Sequence, residues 1–391
     1  MSQTLKRERI PELNIVRAVA IIGVLCVHST SNATLEMRES GYYWLYNFIN
    51  IFMKYGTPTF IFLSSFVLFY NYFNRPLDKK LVSNFYKKRF VYILLPYFLF
   101  SILYFVILHN MYYQGRPLNE SISTFIEKLL TGKAYTHLYF VFINMQFYLI
   151  FPLVLWLMKK YPSVVKWSVP IGLLIQWAFI LSNKYGFQVP NKGSWAFSYF
   201  SYFMLGVFMG VYFPKIKQWF IVSRVNATKG RVASWILLWL VWITAGLGHV
   251  YIYYLLRLKI ATYNTLWYEF FWNVHTFACA LVIIQIAYWL YHKGPALLAK
   301  PLSRLGALSF GVYLIHPLFL LIYREHPPQT GVSWLIHLWY AGGFVFALIA
   351  SWIVVGLAAR FLPYAWVIFG NLPKPKPRLV PQQNSGKVDV R

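Results

Sequence analysis

The sequence has few acidic residues and few cysteines. It contains 10 Asp and Glu against 37 Lys and Arg in 391 residues, and 12% of the chain is charged. With 59% hydrophobic and 21% aromatic residues, this composition argues against a water-soluble globular protein. Cys26 and Cys279 both lie inside apolar stretches. We interpret them as buried small residues rather than as a disulfide or a metal site.

The sequence also lacks the motifs that would explain its charge by binding to nucleic acid. The net charge is +27, yet the basic residues belong to no soluble module such as a zinc finger or an RNA-recognition sheet. No Gly-rich phosphate loop occurs, and no cluster of His, Asp and Glu has the spacing of metal ligands. We therefore expect no bound metal and no nucleic-acid partner.

Long apolar segments are abundant, and they predict an all-α polytopic membrane protein. A spanning helix needs roughly 20 mostly apolar residues. Ten segments meet this requirement, at residues 12–30, 44–70, 90–109, 138–158, 164–182, 197–213, 232–254, 269–291, 305–323 and 334–358.

The distribution of Lys and Arg predicts the orientation of these helices. The N-terminus, the even-numbered connections and the C-terminal tail hold 26 of the 37 basic residues. Because positive charge favours the cytoplasmic side, both termini are predicted in the cytoplasm. We expect a transmembrane domain over residues 1–370 and a disordered, basic, Pro-rich cytoplasmic tail over residues 371–391. Membrane lipids are then the first expected partners.

Charged or titratable groups inside a bilayer are costly and are candidates for function. Arg17 and His28 lie 11 residues apart on the first predicted helix. They therefore share one face, about 16 Å apart along the helix axis. Arg binds phosphates through a planar fork, and His is the usual general base near neutral pH. Alternatively, Arg17 extends to the inner headgroups and His28 bonds at the outer interface.

Lys54 and Glu269 are the remaining charges inside or at the border of the predicted helices. They could pair between the second and eighth helices, which would neutralise both charges. Glu269 could equally lie among the outer headgroups.

Five segments resemble the acyltransferase-3 family of integral membrane acyltransferases. The first is RIPELNIVRAVAIIGVLCVH, from Arg9 to His28. The others are GTPTFIFLSSFVL after residue 55, LLPY after residue 93, HLYFVFINMQFYLIFP after residue 136 and LGALSFGVYLIHP after residue 304. The resemblance implies an O-acyltransferase that moves an acyl group, usually acetyl, from acyl-CoA to a carbohydrate hydroxyl. It also implies a bacterial cytoplasmic membrane and a cell-envelope acceptor. No tightly bound cofactor is expected.

The resemblance also implies roles for particular residues. Arg17 and the basic group Lys87, Lys88 and Arg89 would hold the donor phosphates, and His28 would take the proton of the acceptor hydroxyl. Many members carry a second Arg at the position of Tyr92. The three basic residues could instead serve as a positive-inside anchor.

Three further residues in the matching segments are secondary candidates. His137 could assist the acceptor, or it could be a structural interfacial histidine. Tyr313 and His316 lie three residues apart on one helix face. His316 would shape a polar cavity, or it would make a structural hydrogen bond.

Two other functions are open at this point. Intramembrane Arg, His and Lys also mark translocation paths, so a transporter or flippase for a polysaccharide or a lipid-linked glycan is the chief alternative. A scaffold or sensor that binds acyl-CoA without turnover is the third possibility. The tail is too short for a further catalytic domain, so a second activity would come from other proteins of envelope-polymer synthesis.

Overall fold

A computed structural model describes residues 8–329 and 333–373 of the chain. Within these residues, ten helical spans are long and apolar enough to cross a membrane. The ten predicted helices are therefore confirmed. The spans are Glu12–Thr30, Tyr43–Tyr72, Lys79–Tyr112, Tyr139–Lys160, Pro162–Phe187, Ala196–Phe220, Lys229–Arg257, Thr265–Lys293, Ala296–Arg324 and Trp334–Phe361. The cytoplasmic orientation of the termini stays a prediction, and residues 374–391 of the predicted tail lie outside the described residues.

The described part of the chain contains fifteen α-helices. Helices are favoured because a backbone in lipid must satisfy its hydrogen bonds internally. Their bounds are α1 Glu12–Thr30, α2 Ala33–Glu36, α3 Tyr43–Phe52, α4 Gly56–Tyr72, α5 Lys79–Arg89, α6 Leu95–Tyr112, α7 Leu118–Thr131, α8 Tyr139–Lys160, α9 Ser168–Ser182, α10 Phe200–Phe220, α11 Lys229–Arg257, α12 Thr265–Lys293, α13 Ala296–Arg324, α14 Ser333–Phe361 and α15 Ala365–Phe369.

The spans divide into an inner and an outer group. Over an 18-residue apolar stretch of each span, the share of buried residues is 78% for the span of α10 and 61% for those of α1, α12 and α13 and for Tyr43–Tyr72. By contrast, the span Lys79–Tyr112 and those of α9, α11 and α14 are each 28% buried. The inner group therefore forms a core, and the outer group presents apolar side chains such as Leu237 and Ile353 to the surroundings.

Helix α1 packs closely against two neighbours through glycine. A Cβ atom added at Gly306 of α13 would lie 1.7 Å from the carbonyl oxygen of Asn14. A Cβ atom added at Gly56 of α4 would lie 2.5 Å from Cγ2 of Val24. Small residues allow helix backbones in membranes to approach in this way. The two glycines fix the position of α1 between α4 and α13.

The second predicted helix, residues 44–70, is interrupted. Helix α3 ends at Phe52 and α4 begins at Gly56. Pro58 explains the break, because proline has no N–H to donate to the carbonyl of Lys54 and its ring clashes with a continuing helix. The interruption places Lys54 in a short non-helical segment beside the bundle interior.

Two other departures from the prediction concern the third span. A π-helical turn, Phe90–Leu94, joins α5 to α6, so the helix begins well before residue 90. The connection to α8 contains α7, an amphipathic helix that we did not predict. The π-helical turn is of interest because such turns are frequent at functional sites.

Gly306→Ala should weaken the contact between α1 and α13. Because the added methyl group would meet backbone rather than a flexible side chain, we expect a loss of about 3 kcal/mol, the upper end of the usual cost of overpacking. The loss would be measured as a lower midpoint of thermal unfolding in detergent. Gly356→Ala is the control, since its Cβ would lie 3.8 Å from Leu308. An unchanged midpoint for Gly306→Ala would contradict the prediction.

Candidate active site

Three histidines from different parts of the chain meet inside the bundle. His28 lies near the end of α1, His137 directly before α8 and His316 on α13. The ring of His28 is 5.3 Å from that of His316 and 6.5 Å from that of His137, between ring centroids. The rings of His137 and His316 are 5.6 Å apart. We call these three residues the histidine cluster.

The orientation of His316 follows from the proline beside it. Because Pro317 has no N–H, the carbonyl of Tyr313 lacks its helical donor. Nδ1 of His316 lies 2.8 Å from that carbonyl oxygen and 3.2 Å from that of Val312. A carbonyl accepts only, so Nδ1 is the protonated nitrogen. Nε2 of His316 is buried and has no hydrogen-bond partner among the described residues.

His137 is held from two sides by α13. Its Nε2 donates to the carbonyl of Leu314 at 3.3 Å, and its own carbonyl accepts a hydrogen bond from the Tyr313 hydroxyl. Nδ1 of His137 is buried and unpartnered within the described residues. Burial lowers the pKa of His137 well below its usual value, and the neighbouring His28 ring adds to the effect. The imidazole is therefore neutral and can accept a hydrogen bond at Nδ1.

Arg17 lies in a cavity on the N-terminal side of the histidine cluster. This Arg17 cavity has a volume of about 500 Å³, and its wall includes Lys88, Arg89 and Tyr92. The guanidinium of Arg17 donates to Oδ1 of Asn14 at 2.9 Å. No carboxylate of the described residues lies within 4.0 Å of it.

The basic group at the end of α5 is divided by the structure. Lys88 and Arg89 line the Arg17 cavity, whereas Lys87 is exposed outside it. The guanidinium carbon of Arg89 lies 5.0 Å from the Tyr148 ring centroid and 5.1 Å from that of Phe85. Tyr92 lines the same cavity, and its ring lies 5.8 Å from that of Trp366.

Two further cavities meet at His28. The Glu269 cavity, about 470 Å³, is lined by Lys54, Glu269, Tyr199 and Trp272 as well as His28. The Arg324 cavity, about 430 Å³, is lined by His28, Lys54, Arg257 and Arg324. Both lie toward the C-terminal end of α1, whereas the Arg17 cavity lies toward its N-terminal end.

Aromatic side chains separate the Arg17 cavity from the histidine cluster. Phe140 and Tyr313 line that cavity, with their ring centroids 5.2 Å apart. The Tyr313 ring is also 5.1 Å from His137 and 6.0 Å from His316. Tyr313 therefore contacts the cavity with one part of its surface and the histidine cluster with another.

The pairing of Lys54 with Glu269, one of the two possibilities that the sequence left open, does not form. Glu269 forms its ion pair with Lys192, which lies in a short helical turn and lines the Glu269 cavity. Lys54 packs instead on the ring of Tyr253, with its Nζ 4.9 Å from the ring centroid. The break between α3 and α4 sets this position, which the sequence pattern did not predict.

Sequence reasoning missed two functional candidates, Arg257 and Arg324. Arg257 donates to Oδ1 of Asn47 at 3.0 Å and of Asn50 at 2.7 Å. Arg324 donates to the carbonyl of His28 at 2.6 Å. Each arginine ends its helix, so the sequence analysis counted it among the loop charges. Asn47 and Asn50, polar residues three apart inside an apolar span, were the available signal.

The predicted site residues thus fall into groups. His28, His137, His316 and Tyr313 form one cluster, and Arg17, Lys88 and Arg89 share a cavity. Lys54 and Glu269 line a common cavity without pairing. No group of three His, Cys, Asp or Glu side chains in residues 8–329 and 333–373 is arranged to hold a metal ion.

Comparisons with known proteins identify relatives of the chain. Residues 10–356 match the family model of the acyltransferase domain Acyl_transf_3. A protein of Staphylococcus aureus (strain MSSA476), named "Probable poly-beta-1,6-N-acetyl-D-glucosamine export protein", is 24% identical over 325 residues, which is 79% of this chain and 82% of the relative. A protein of the same name from Staphylococcus epidermidis is 24% identical over 340 residues, covering 79% and 81% of the two chains.

No solved structure matches the chain significantly. The family match, by contrast, covers nearly the whole described region and includes every residue of the histidine cluster. The chain is a multi-pass membrane protein that belongs to the Acyl_transf_3 family of acyltransferase domains.

Proposed function

We propose that this protein is an O-acyltransferase of a bacterial cytoplasmic membrane. It would move an acyl group, usually acetyl, from cytoplasmic acyl-CoA to a hydroxyl of a cell-envelope or extracellular carbohydrate. The observation that carries the proposal is the arrangement along α1. This one helix has Arg17 in a basic cavity at one end and His28 in two cavities at the other.

The Arg17 cavity suits the donor. Acyl-CoA carries phosphates at one end of a long pantetheine arm and the thioester at the other. Arg17, Lys88 and Arg89 provide cations at the cavity wall, and Arg forks bind phosphate well. With its phosphates there, the arm would follow α1 for about 16 Å toward His28 and would have to pass the rings of Phe140 and Tyr313. The orientation from the positive-inside rule puts this cavity on the cytoplasmic side.

The Glu269 cavity suits the sugar. Tyr199 and Trp272 offer aromatic faces, and Glu269 and Lys192 offer hydrogen-bonding groups beside them. Binding sites for small ligands combine apolar walls with a few polar groups in this way. A sugar hydroxyl in this cavity can approach His28. The names of the staphylococcal relatives, which contain poly-beta-1,6-N-acetyl-D-glucosamine, support a polysaccharide as the acceptor.

Transfer needs a base and no covalent enzyme intermediate. His28 takes the proton of the acceptor hydroxyl as its oxygen attacks the thioester carbonyl. The new C–O bond forms, the C–S bond breaks, and the proton passes from His28 to the leaving thiolate, which gives free CoA. His137 and His316 each hold a fixed proton toward a carbonyl and keep an unpartnered nitrogen, so they can stabilise the protonated His28.

Export is the second candidate function. The staphylococcal relatives are named as export proteins, and cavities that meet inside a helical bundle also suit translocation. A transporter would move the glycan across the bilayer without consuming acyl-CoA. A vesicle assay that follows both the glycan and CoA separates the two functions.

His28→Ala should reduce acyl transfer about 10²- to 10⁴-fold, the usual contribution of a positioned base. Purified protein in vesicles would receive labelled acetyl-CoA on one side and candidate glycans on the other. We would measure CoA release and label on the glycan. His326→Ala, at an exposed histidine after α13, is the control and should keep wild-type rates. Glycan flux with intact acetyl-CoA would favour export, and full activity of His28→Ala would remove its assigned role.

Lys88→Gln and Lys87→Gln form a matched pair that tests the donor site. Lys88 lines the Arg17 cavity and Lys87 does not. We expect Lys88→Gln to raise the KM for acyl-CoA up to about fivefold, as for an exposed ion pair. Arg17→Gln should raise it about tenfold or more, because a buried charged hydrogen bond is stronger. Lys87→Gln and Arg9→Gln, at exposed positions, should leave the KM unchanged. Equal effects of Lys87→Gln and Lys88→Gln would indicate a diffuse surface potential instead of a site.

A further inference from the structure

The Arg324 cavity contains three cations and no anion. Lys54, Arg257 and Arg324 line it together with His28, and none of its lining residues is Asp or Glu. Within the described residues, no carboxylate lies within 4.0 Å of any of the three. This positive charge lies beside His28, where charged groups inside a helical bundle are costly.

The two arginines are held in place by neutral groups. Arg257 donates to Oδ1 of Asn47 and Asn50, at 3.0 and 2.7 Å. One terminal nitrogen of Arg324 donates to the carbonyl of His28 at 2.6 Å and to the Ser31 hydroxyl at 3.1 Å. These contacts fix the guanidinium groups without cancelling their charge. Both groups keep further N–H donors for a ligand.

The carboxylates of Glu36 and Glu269 are already engaged. Glu36 accepts a hydrogen bond from the Tyr340 hydroxyl, and Glu269 is paired with Lys192. Neither residue lines the Arg324 cavity. Lys54 makes no hydrogen bond to a described residue, and it packs on the Tyr253 ring. The ammonium group of Lys54 is thus available to the cavity.

Unpaired charges in the interior of a membrane protein are expensive. Such charges are retained where they bind an ion or a substrate, and Arg is the residue best suited to carboxylate and phosphate. An anion in the Arg324 cavity would give all three cations an opposite charge at short range. The same cavity also includes His28, so the bound anion would lie beside the base.

We propose that the acceptor of this protein is an anionic glycan, with a carboxylate or phosphate group bound in the Arg324 cavity. The inference rests on the proposed function, because it assigns the cavity beside His28 to the acceptor. The acylated hydroxyl then belongs to the charged sugar or to its neighbour, since both must fit around His28. A neutral glycan would leave the three cations unpaired and would bind more weakly, and this includes an unmodified polymer of the kind in the names of the staphylococcal relatives.

The test is a binding measurement without acyl-CoA. The full-length protein in zwitterionic detergent would be titrated with a tetrasaccharide of hexuronic acid and with a neutral glucose tetrasaccharide, by isothermal titration calorimetry. We expect the charged probe to bind about tenfold more tightly or better, as befits charge-assisted hydrogen bonds. Lys54→Gln should remove most of that preference. Because Lys54 has no hydrogen bond to lose, this variant should fold normally.

Lys259→Gln is the matched control. It removes one charge two residues after Arg257, at an exposed position outside the cavity. The charged probe should bind Lys259→Gln as it binds the wild type. Arg257→Lys is a second variant that keeps the charge and loses the planar fork, and it should weaken binding of the charged probe less than Lys54→Gln weakens it.

Several outcomes would overturn the proposal. These are equal affinity for the two tetrasaccharides, unchanged binding by Lys54→Gln, or an equal loss in Lys259→Gln. The proposal would also fail if Lys54→Gln bound the glycan as the wild type does, used acetyl-CoA normally and used succinyl-CoA poorly. That result would assign the cations to a carboxylate on the acyl group. If the charged probe binds as expected and no acyl group is ever transferred, the charge preference stands and the proposed function fails.

Discussion

The contact between α1 and α13 is the constraint on which the site depends. Gly306 brings the two backbones together at Asn14, and Arg324 joins them again at the carbonyl of His28. These contacts set the register that places His28 beside His316. A slip by one helical turn would move His28 by about 5.4 Å, as far as its present separation from His316. The histidine cluster and the cavities that meet at His28 require this register.

Much of the fold was predictable because a bilayer imposes simple rules. Ten apolar segments predicted ten spans, since each span must cross the same apolar thickness. The Arg17 and His28 spacing placed both residues on one face of a helix, and the structure has that helix unbroken. Tyr313 and His316 were found by resemblance, and the structure brings them to His137, which lies far away in sequence.

The structural features that could not be predicted from the sequence depend on tertiary contacts. Lys87 and Lys88 are adjacent residues of the same type, so the sequence does not distinguish their roles. The turn of α5 directs Lys88 to the Arg17 cavity and leaves Lys87 outside it. Counting charges by loop assigned Arg257 and Arg324 to the outer surface, although their side chains bond to groups inside the bundle. The break at Lys54 follows from one proline in a segment whose hydropathy is continuous.

Phe140 and Tyr313 have a consequence for a cell that maintains a membrane voltage. If water fills the cavities on both sides, these two rings form a thin septum, and most of the potential falls across them rather than across the whole bilayer. Moving a charge through the septum would then require nearly all of the electrical work of moving that charge across the whole membrane potential. In the function that we propose, the acyl thioester is neutral and would reach His28 without that work, while the phosphates of its carrier would stay behind. The proposed acyl transfer would then proceed at a rate independent of the voltage, and the same septum would resist ion leakage.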